Sequence, residues 1–383
     1  MNRIENLLQG QKVEWKTLGE VCVINKGKQL NKTELKEEGK YPAYNGGKTY
    51  SGFTDKYNVE ENITIISQGG ASAGFVNFIT TKFWANAHCY YVIPNIDFVN
   101  NRYLFHFLKW QEFYLMEAQH GAGIPALAIS KLSKLQIPIP PLSVQKEIAN
   151  ILDTFTTLEA ELEAELDCRL RQYRHYRDTL LTFGDDVEWK TLGEVCEYVD
   201  YRGKTPKKVE SGIYLVTAKN IKKGFIDYEV SKEYISENDY DEVMRRGLPK
   251  IGDVLITTEA PCGNVAQVDN ENIALAQRVI KYCSRDVTYL SNDFLKHYLL
   301  CNDFQNLLFN SATGGTVKGI KGSVLHKLQI PIPPIEEQRR IVNILDKFDT
   351  LTNSITEGLP KEIELRRKQY EYYREKLLSF PEN

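Results

Sequence analysis

Apolar residues recur at Ile148, Ile151, Leu152, Phe155, Leu158, Leu162, Leu166, Leu170, Tyr173 and Leu180, with charge on the other faces. Spacings of three and four predict one long amphipathic helix, and its single stripe needs a partner, as in a coiled coil. The run Leu135-Gln-Ile-Pro-Ile just before it has strand character, and Pro140-Pro141 stops that strand. Ser143 is placed to cap the new helix. About thirty residues at roughly 1.5 Å each give an arm on the order of 45 Å, comparable with about a dozen base pairs of duplex.

The pattern then returns. Leu328 to Phe348 matches Leu135 to Phe155, with Glu336 and Glu337 now placing anionic charge at the helix start. Lys368 to Phe380 matches Arg171 to Phe183, and Val13 to Cys22 is identical to Val187 to Cys196. Between these blocks the sequence does not repeat. The register offsets are 174, 193 and 197 residues, so the second insert is 19 residues longer and the second helical segment gains four. A four-residue gain is the size of a stutter, which shifts a coiled-coil seam without destroying it. Gly358 and Pro360 fall in the same segment and should break or kink it. Arg3, Leu7 and Gly10 match Arg177, Leu181 and Gly184, as if the chain began with the tail of a frame helix.

Two such helices in one chain bury each other most simply as an antiparallel pair about a pseudo-two-fold axis. The expected fold class is α+β, with two globular α/β domains separated by two long antiparallel, coiled-coil-like helices. The expected boundaries are an N-terminal frame segment 1–19, a first insert 20–134, a central helical region 135–186, a second insert domain 187–327 and a C-terminal helical region 328–383.

Composition narrows the class. A chain of 383 residues with 42% apolar and 26% charged residues is long enough for two or three globular domains. No apolar run has bilayer-spanning length, and Met1-Asn-Arg-Ile-Glu-Asn lacks a signal-peptide core, so no membrane association is expected. Seven cysteines without a Cys-x-x-Cys pair fit a reducing cytoplasm. A net charge of −3 argues against nucleic acid, but the sum hides strong patterning. Residues 154–167 carry five acids and no base, and residues 169–177 four arginines and no acid. Residues 200–225 hold seven Lys or Arg against two acids. Basic loops on a neutral frame can still follow a phosphate backbone.

The duplicated Trp-Lys-Thr-Leu-Gly-Glu-Val openings, the Ile-Pro-Ile-Pro-Pro-x-x-x-Gln closings at Gln145 and Gln338, and the Ile-Leu-Asp-x-Phe helices resemble the specificity subunits of type I restriction–modification enzymes. The resemblance covers the whole chain. It implies that each insert is a target-recognition domain for one half of a bipartite double-stranded DNA site, and that the paired helices set the unread spacing. It also implies a subunit that catalyses nothing and binds no cofactor. Two methyltransferase subunits would bring S-adenosylmethionine, and two motor-nuclease subunits ATP and magnesium.

Candidate contacts lie in the parts that do not repeat. In the first insert, Asn45-Gly46-Gly47-Lys48 and Gln68-Gly-Gly70 combine amides with glycines that let backbone approach a ligand. Asn45 and Gln68 could read an adenine edge, and Lys26, Lys28 and Lys48 could contact phosphates. The Asn-Gly-Gly segment also reads as a hairpin turn. In the second insert, Arg202 matches the two acceptors of guanine, while Lys204, Lys207, Lys208, Lys219, Lys222 and Lys223 suit phosphates or a solvated surface. The loops at Gly121 and Gly314-Gly315 occupy equivalent positions under the 193-residue offset. They suit backbone contact with phosphate, aided by Lys318 and Lys321, or a turn before a strand.

Glu14-Trp-Lys16 and Glu188-Trp-Lys190 match the Glu-x-Lys half of a metal-dependent nuclease, but no room remains upstream of Glu14 for the aspartate. Identical frame positions suit packing, with the tryptophan as a buried anchor. The chain has no phosphate-binding Gly-rich loop, no dinucleotide fingerprint, no Asn-Pro-Pro-Tyr type methyltransferase segment and no metal-ligand spacing among its six histidines. The competing reading is a pseudo-symmetric scaffold that pairs two protein partners without reading DNA.

Overall fold

The computed structural model describes residues 7–8, 10, 12–117, 126–201, 206–315, 317–354 and 357–380. The chain forms two compact units, Met1–Glu163 with Glu362–Asn383, and Ala164–Lys361.

In the first unit the chain runs through β1 (Glu14–Thr17), α1 (Leu18–Val21), β2 (Cys22–Lys26), β3 (Tyr41–Tyr44), β4 (Gly52–Thr54) and β5 (Ile63–Ser67). It continues through β6 (Val76–Ile79), β7 (Trp84–Ala85), β8 (Cys89–Pro94), α2 (Asn101–Trp110), α3 (Glu112–Glu117), α4 (Ile129–Ser133) and β9 (Gln136–Ile139), and enters α5 (Leu142–Leu180). The second unit repeats this plan. Its elements are β10 (Glu188–Thr191), α6 (Leu192–Val195), β11 (Cys196–Asp200), β12 (Lys208–Val209), β13 (Ile213–Val216), β14 (Tyr234–Ile235), α7 (Tyr240–Val243) and β15 (Val254–Thr258). There follow β16 (Cys262–Gln267), β17 (Ile273–Leu275), β18 (Val279–Ser284), α8 (Asn292–Leu300), α9 (Asn302–Ser311), α10 (Gly322–Leu325), β19 (Gln329–Ile332) and α11 (Ile335–Asn353). Helix α12 (Gly358–Leu378) closes the chain.

Each insert holds an antiparallel four-stranded sheet, ordered β2-β8-β5-β6 in the first and β11-β18-β15-β16 in the second. A smaller sheet accompanies each, β4-β3-β7 and β12-β14-β13-β17. The β-branched run Ile63-Thr-Ile-Ile makes β5 a central strand, buried from Thr64 onward. Helix α2 covers the first sheet, burying Tyr103, Leu104, Phe107 and Leu108 at helical spacing. Asn100 caps it by accepting from the Arg102 and Tyr103 amides.

The repeated blocks find each other. β1 pairs antiparallel with β9, Glu14 opposite Ile139 and Thr17 opposite Gln136; β10 pairs with β19 in the same register, Glu188 opposite Ile332 and Thr191 opposite Gln329. Two sequence motifs more than a hundred residues apart thus form one two-stranded closure at the base of each insert. The Thr-Leu-Gly-Glu segment caps the turn that follows, the Glu20 carboxylate accepting from the Thr17 amide and hydroxyl at 2.6 and 2.7 Å. Glu194 does the same for Thr191. Trp15 and Trp189 are half-buried against their cores rather than enclosed, since strand pairing holds them near the edge. Glu14 and Lys16 pair with each other at 3.2 Å, and Glu188 with Lys190 at 2.9 Å, as exposed ion pairs along a strand.

Helix α5 spans 39 residues, longer than the sequence pattern indicated, or ~58 Å. In the first unit its opening half packs antiparallel on the end of α12: Phe155 stacks on Tyr373 at 5.3 Å, and Arg367 reaches Glu159 and Glu163. In the second unit its closing half packs on α11, where Phe348 stacks on Tyr173 and Tyr176 at 6.1 and 5.4 Å. Leu7 and Leu8 are helical and pack in the first core with Leu377 and Leu378; Leu181 takes the corresponding place in the second. The stutter expectation is corrected. α11 ends at Asn353, Ser354 is extended, and α12 opens at Gly358, so the helical segment is broken, as Gly358 and Pro360 lead one to expect. Gly358 has φ +74°, and an added Cβ would lie 2.5 Å from the Thr350 carbonyl oxygen. Pro360 sits in the first turn of α12, where it removes no helical hydrogen bond.

Two buried histidines tie insert helices to frame helices. His106 of α2 meets Asp153 of α5 at 2.7 Å, and His297 of α8 meets Asp346 of α11 at 2.7 Å. Burial holds both imidazoles below their ordinary pKa, although the aspartates oppose this. Burial would raise Asp153, but hydrogen bonds from His106 and Arg102 outweigh it and hold the carboxyl at about 2.

Candidate nucleic-acid interface

The antiparallel order of the first sheet brings three chain turns to one end. Lys26, the last residue of β2, pairs with Tyr90; Ser67, the last of β5, pairs with Cys89, the first of β8. The segments beyond these strands hold one another through backbone hydrogen bonds. The Gly27 amide donates to Cys89 O at 2.8 Å, the Gln68 amide to His88 O at 2.9 Å, and the Leu127 amide to Gln68 O at 2.8 Å. Gly46 has φ +80° and passes so close to His88 that an added Cβ would meet its carbonyl oxygen at 2.6 Å. The Ser67 hydroxyl donates to Gly46 O.

This gives a rim made of the Asn45–Lys48 loop, the Ser67–Gly70 turn and His88. Asn45, Gly47, Lys48 and His88 are exposed on it, as are Lys26 and Lys28 on its flank. Gly70 turns with φ +78°. Gln68 is half-buried beside the Tyr90 hydroxyl, its amide oxygen shielded from solvent. Gly121 lies outside the described residues.

The second insert builds the same rim from other residues. The Thr258 amide donates to Arg278 O at 2.8 Å and the Ile320 amide to Thr258 O at 2.9 Å, matching the bonds of Gln68 and Leu127. Glu259 bridges to Gly319 as Gly69 bridges to Ala126. Ala260 has φ +49° where the first rim has Gly70. By these bonds Thr258 corresponds to Gln68, Glu259 to Gly69 and Arg278 to His88. Thr258, Glu259, Gln277, Arg278, Gly314 and Lys321 line an open cleft of about 560 Å³. Arg278 is exposed with φ +69°, its Nε 3.3 Å from a Glu259 carboxylate oxygen. Gly314 turns a small hairpin in which Thr313 and Gly319 exchange backbone hydrogen bonds at 2.9 Å. The turn and the cleft wall are therefore the same loop. Gly315 and Lys318 are exposed on it.

The basic run of residues 200–225 is not gathered in that cleft. Lys207 and Lys219 are exposed, but Lys208 is paired to Glu233 at 2.8 Å. Lys223 lies beside Asp349 and Asn353 of α11, and Lys222 is half-buried next to it. The cause is topological: Lys208 belongs to the smaller sheet, and Gly224 is drawn to the far strand of the larger one by a 2.8 Å bond to Val265 O. Arg202 and Lys204 lie outside the described residues. His88, Glu259, Gln277 and Arg278 escaped the sequence reading. The available signal was a polar residue directly before the apolar β8 and β18 runs.

A family model described as the type I restriction modification DNA specificity domain matches residues 11–169 and again 184–365. The EcoR124I/EcoR124II type I restriction enzyme specificity subunit of Escherichia coli is 34% identical over 100% of this chain and 98% of its own. A Haemophilus influenzae relative assigned to the type I restriction enzyme specificity subunits is 36% identical over 98% of both chains. The crystal structure of the type I restriction–modification S subunit from M. genitalium shares the fold, with TM-score 0.65, 20% identity and 97% of each chain covered. Two matched domains in tandem, full-length similarity and a common fold place this chain in the family of type I restriction–modification specificity subunits.

Proposed function

We propose that each unit reads one half of a bipartite double-stranded DNA site through the rim at the end of its four-stranded sheet. The observation that carries this reading is the repeated rim: one hydrogen-bonded backbone pattern holds Gln68, Gly69 and His88 in one insert, and Thr258, Glu259 and Arg278 in the other. A common scaffold with unlike side chains is what two different half-sites require. Lys26, Lys28, Lys318 and Lys321 flank the rims as phosphate contacts, and Gly70 and Gly314 let backbone approach the duplex.

The helical frame sets the distance between half-sites and docks two methyltransferase subunits, with two motor-nuclease subunits completing the assembly in the cytoplasm. Specificity subunits are in general the non-catalytic member of such complexes. S-adenosylmethionine, ATP and magnesium belong to the partners in this reading. Sequencing the methylated positions in a host that carries this chain with its methyltransferase subunits tests it. The expected result is adenine methylation at one interrupted sequence with two defined halves. Methylation without a defined bipartite sequence would favour a scaffold that pairs proteins and reads nothing.

A further inference from the structure

We infer that base discrimination in each half-site is concentrated at the residue that opens the strand beside the rim, His88 in the first insert and Arg278 in the second. The inference rests on the half-site reading above and names the position that performs it. Three observations meet there. The carbonyl of this residue is fixed in both inserts by the same backbone bond, from Gln68 at 2.9 Å and from Thr258 at 2.8 Å. Position is thus held while the side chain varies. Both residues are exposed, although the next residues along the chain, Cys89 and Val279, are fully buried.

The third observation concerns Arg278 itself. It adopts φ +69°, a left-handed conformation uncommon for any residue with a side chain. The conformation places the residue at the cleft lined by Glu259, Gln277 and Lys321. Its ion pair with Glu259 is long, 3.3 Å, solvent-exposed, and made through Nε. Such a pair holds the guanidinium only weakly. No described residue engages the two terminal nitrogens, which supply the planar fork that matches guanine O6 and N7. Glu259 stands where it can accept from the amino group of a cytosine, so the pair suits a G·C base pair. His88 offers a ring donor and acceptor at the corresponding place, a different preference on the same scaffold.

The test reconstitutes the full chain with its methyltransferase subunits and measures methylation across a library of sites. Arg278→Gly removes the side chain while tolerating the positive φ, and Arg278→Lys keeps the charge without the fork. The expected outcome for both is a loss of discrimination at one base pair of the second half-site by about ten- to a hundred-fold, with the first half-site and spacing unchanged. His88→Ala is expected to relax one position of the first half-site only. Equal loss at every sequence, or unaltered specificity with an unaltered unfolding midpoint, would overturn the assignment. A wild-type complex that methylates no bipartite sequence would instead remove the half-site reading on which it rests.

Discussion

Gln145 and Gln338 are wholly buried, and each satisfies three backbone groups from two directions. Gln145 Nε2 donates to Phe98 O and Pro140 O at 2.9 and 2.7 Å, and its Oε1 accepts from the Asn100 amide at 2.8 Å. Gln338 repeats this with Tyr289, Pro333 and Ser291. One side chain therefore joins the loop before the insert helix, the cap of that helix and the start of the frame helix. The sequence displays the glutamine at a fixed distance after the double proline, but two of its three partners come from nearly fifty residues away and cannot be read there. Replacing Gln338 by Ala strands buried backbone groups and is expected to cost about 2–4 kcal/mol in urea unfolding. A loss under about 0.5 kcal/mol would show that water or local movement satisfies them instead. The nearby histidines give a pH dependence. His106 and His297 have depressed pKa values in the folded chain, so their contribution is full above about 6.5 and is lost as pH falls below it. Asp153, held at about 2, adds a second loss that begins below about 3.8. The urea midpoint should decline from pH 7 to pH 5, and His106→Gln with His297→Gln should flatten that decline. A profile of unchanged slope in the double variant would contradict the assignment.

Among the elements, the frame was the legible part. Identical blocks predicted identical structures, and the helical stripe predicted α5. What periodicity could not give was the pairing of the opening block with the closing block, because strand partners are set by tertiary closure across a long insert. It also could not decide between a stutter and a break. Gly358 decides it, since its positive φ beside the Thr350 carbonyl marks the end of one helix and the start of the next. Gly358→Ala should destabilise the chain by about 1–3 kcal/mol through backbone strain. Thermal unfolding measures this, and a stabilised variant would mean that the turn relaxes freely. Deleting four residues around 354–357 should change the tolerated half-site spacing or abolish assembly with the methyltransferase. Normal assembly at the original spacing would show that the break has no bearing on the arm.

For the whole molecule, duplication of frame against divergence of insert is the governing fact. The frame residues recur because each does the same structural work twice: β1 and β10 close an insert, Glu20 and Glu194 cap it, Phe155 and Phe348 stack on tyrosines. The candidate contacts were harder to read, because linear clusters of lysine are dispersed by the sheet topology while His88 and Arg278 are brought to equivalent places by it. Chemistry in the inserts became visible only once strand ends were aligned by hydrogen bonding. In the proposed function the two inserts read DNA independently on a constant frame. Exchanging residues 20–134 for the corresponding insert of another family member, then sequencing methylated positions in the host, tests it most directly. One half of the methylated site is expected to change while the other half and the spacing stay the same. A change in both halves, or in neither, would contradict it.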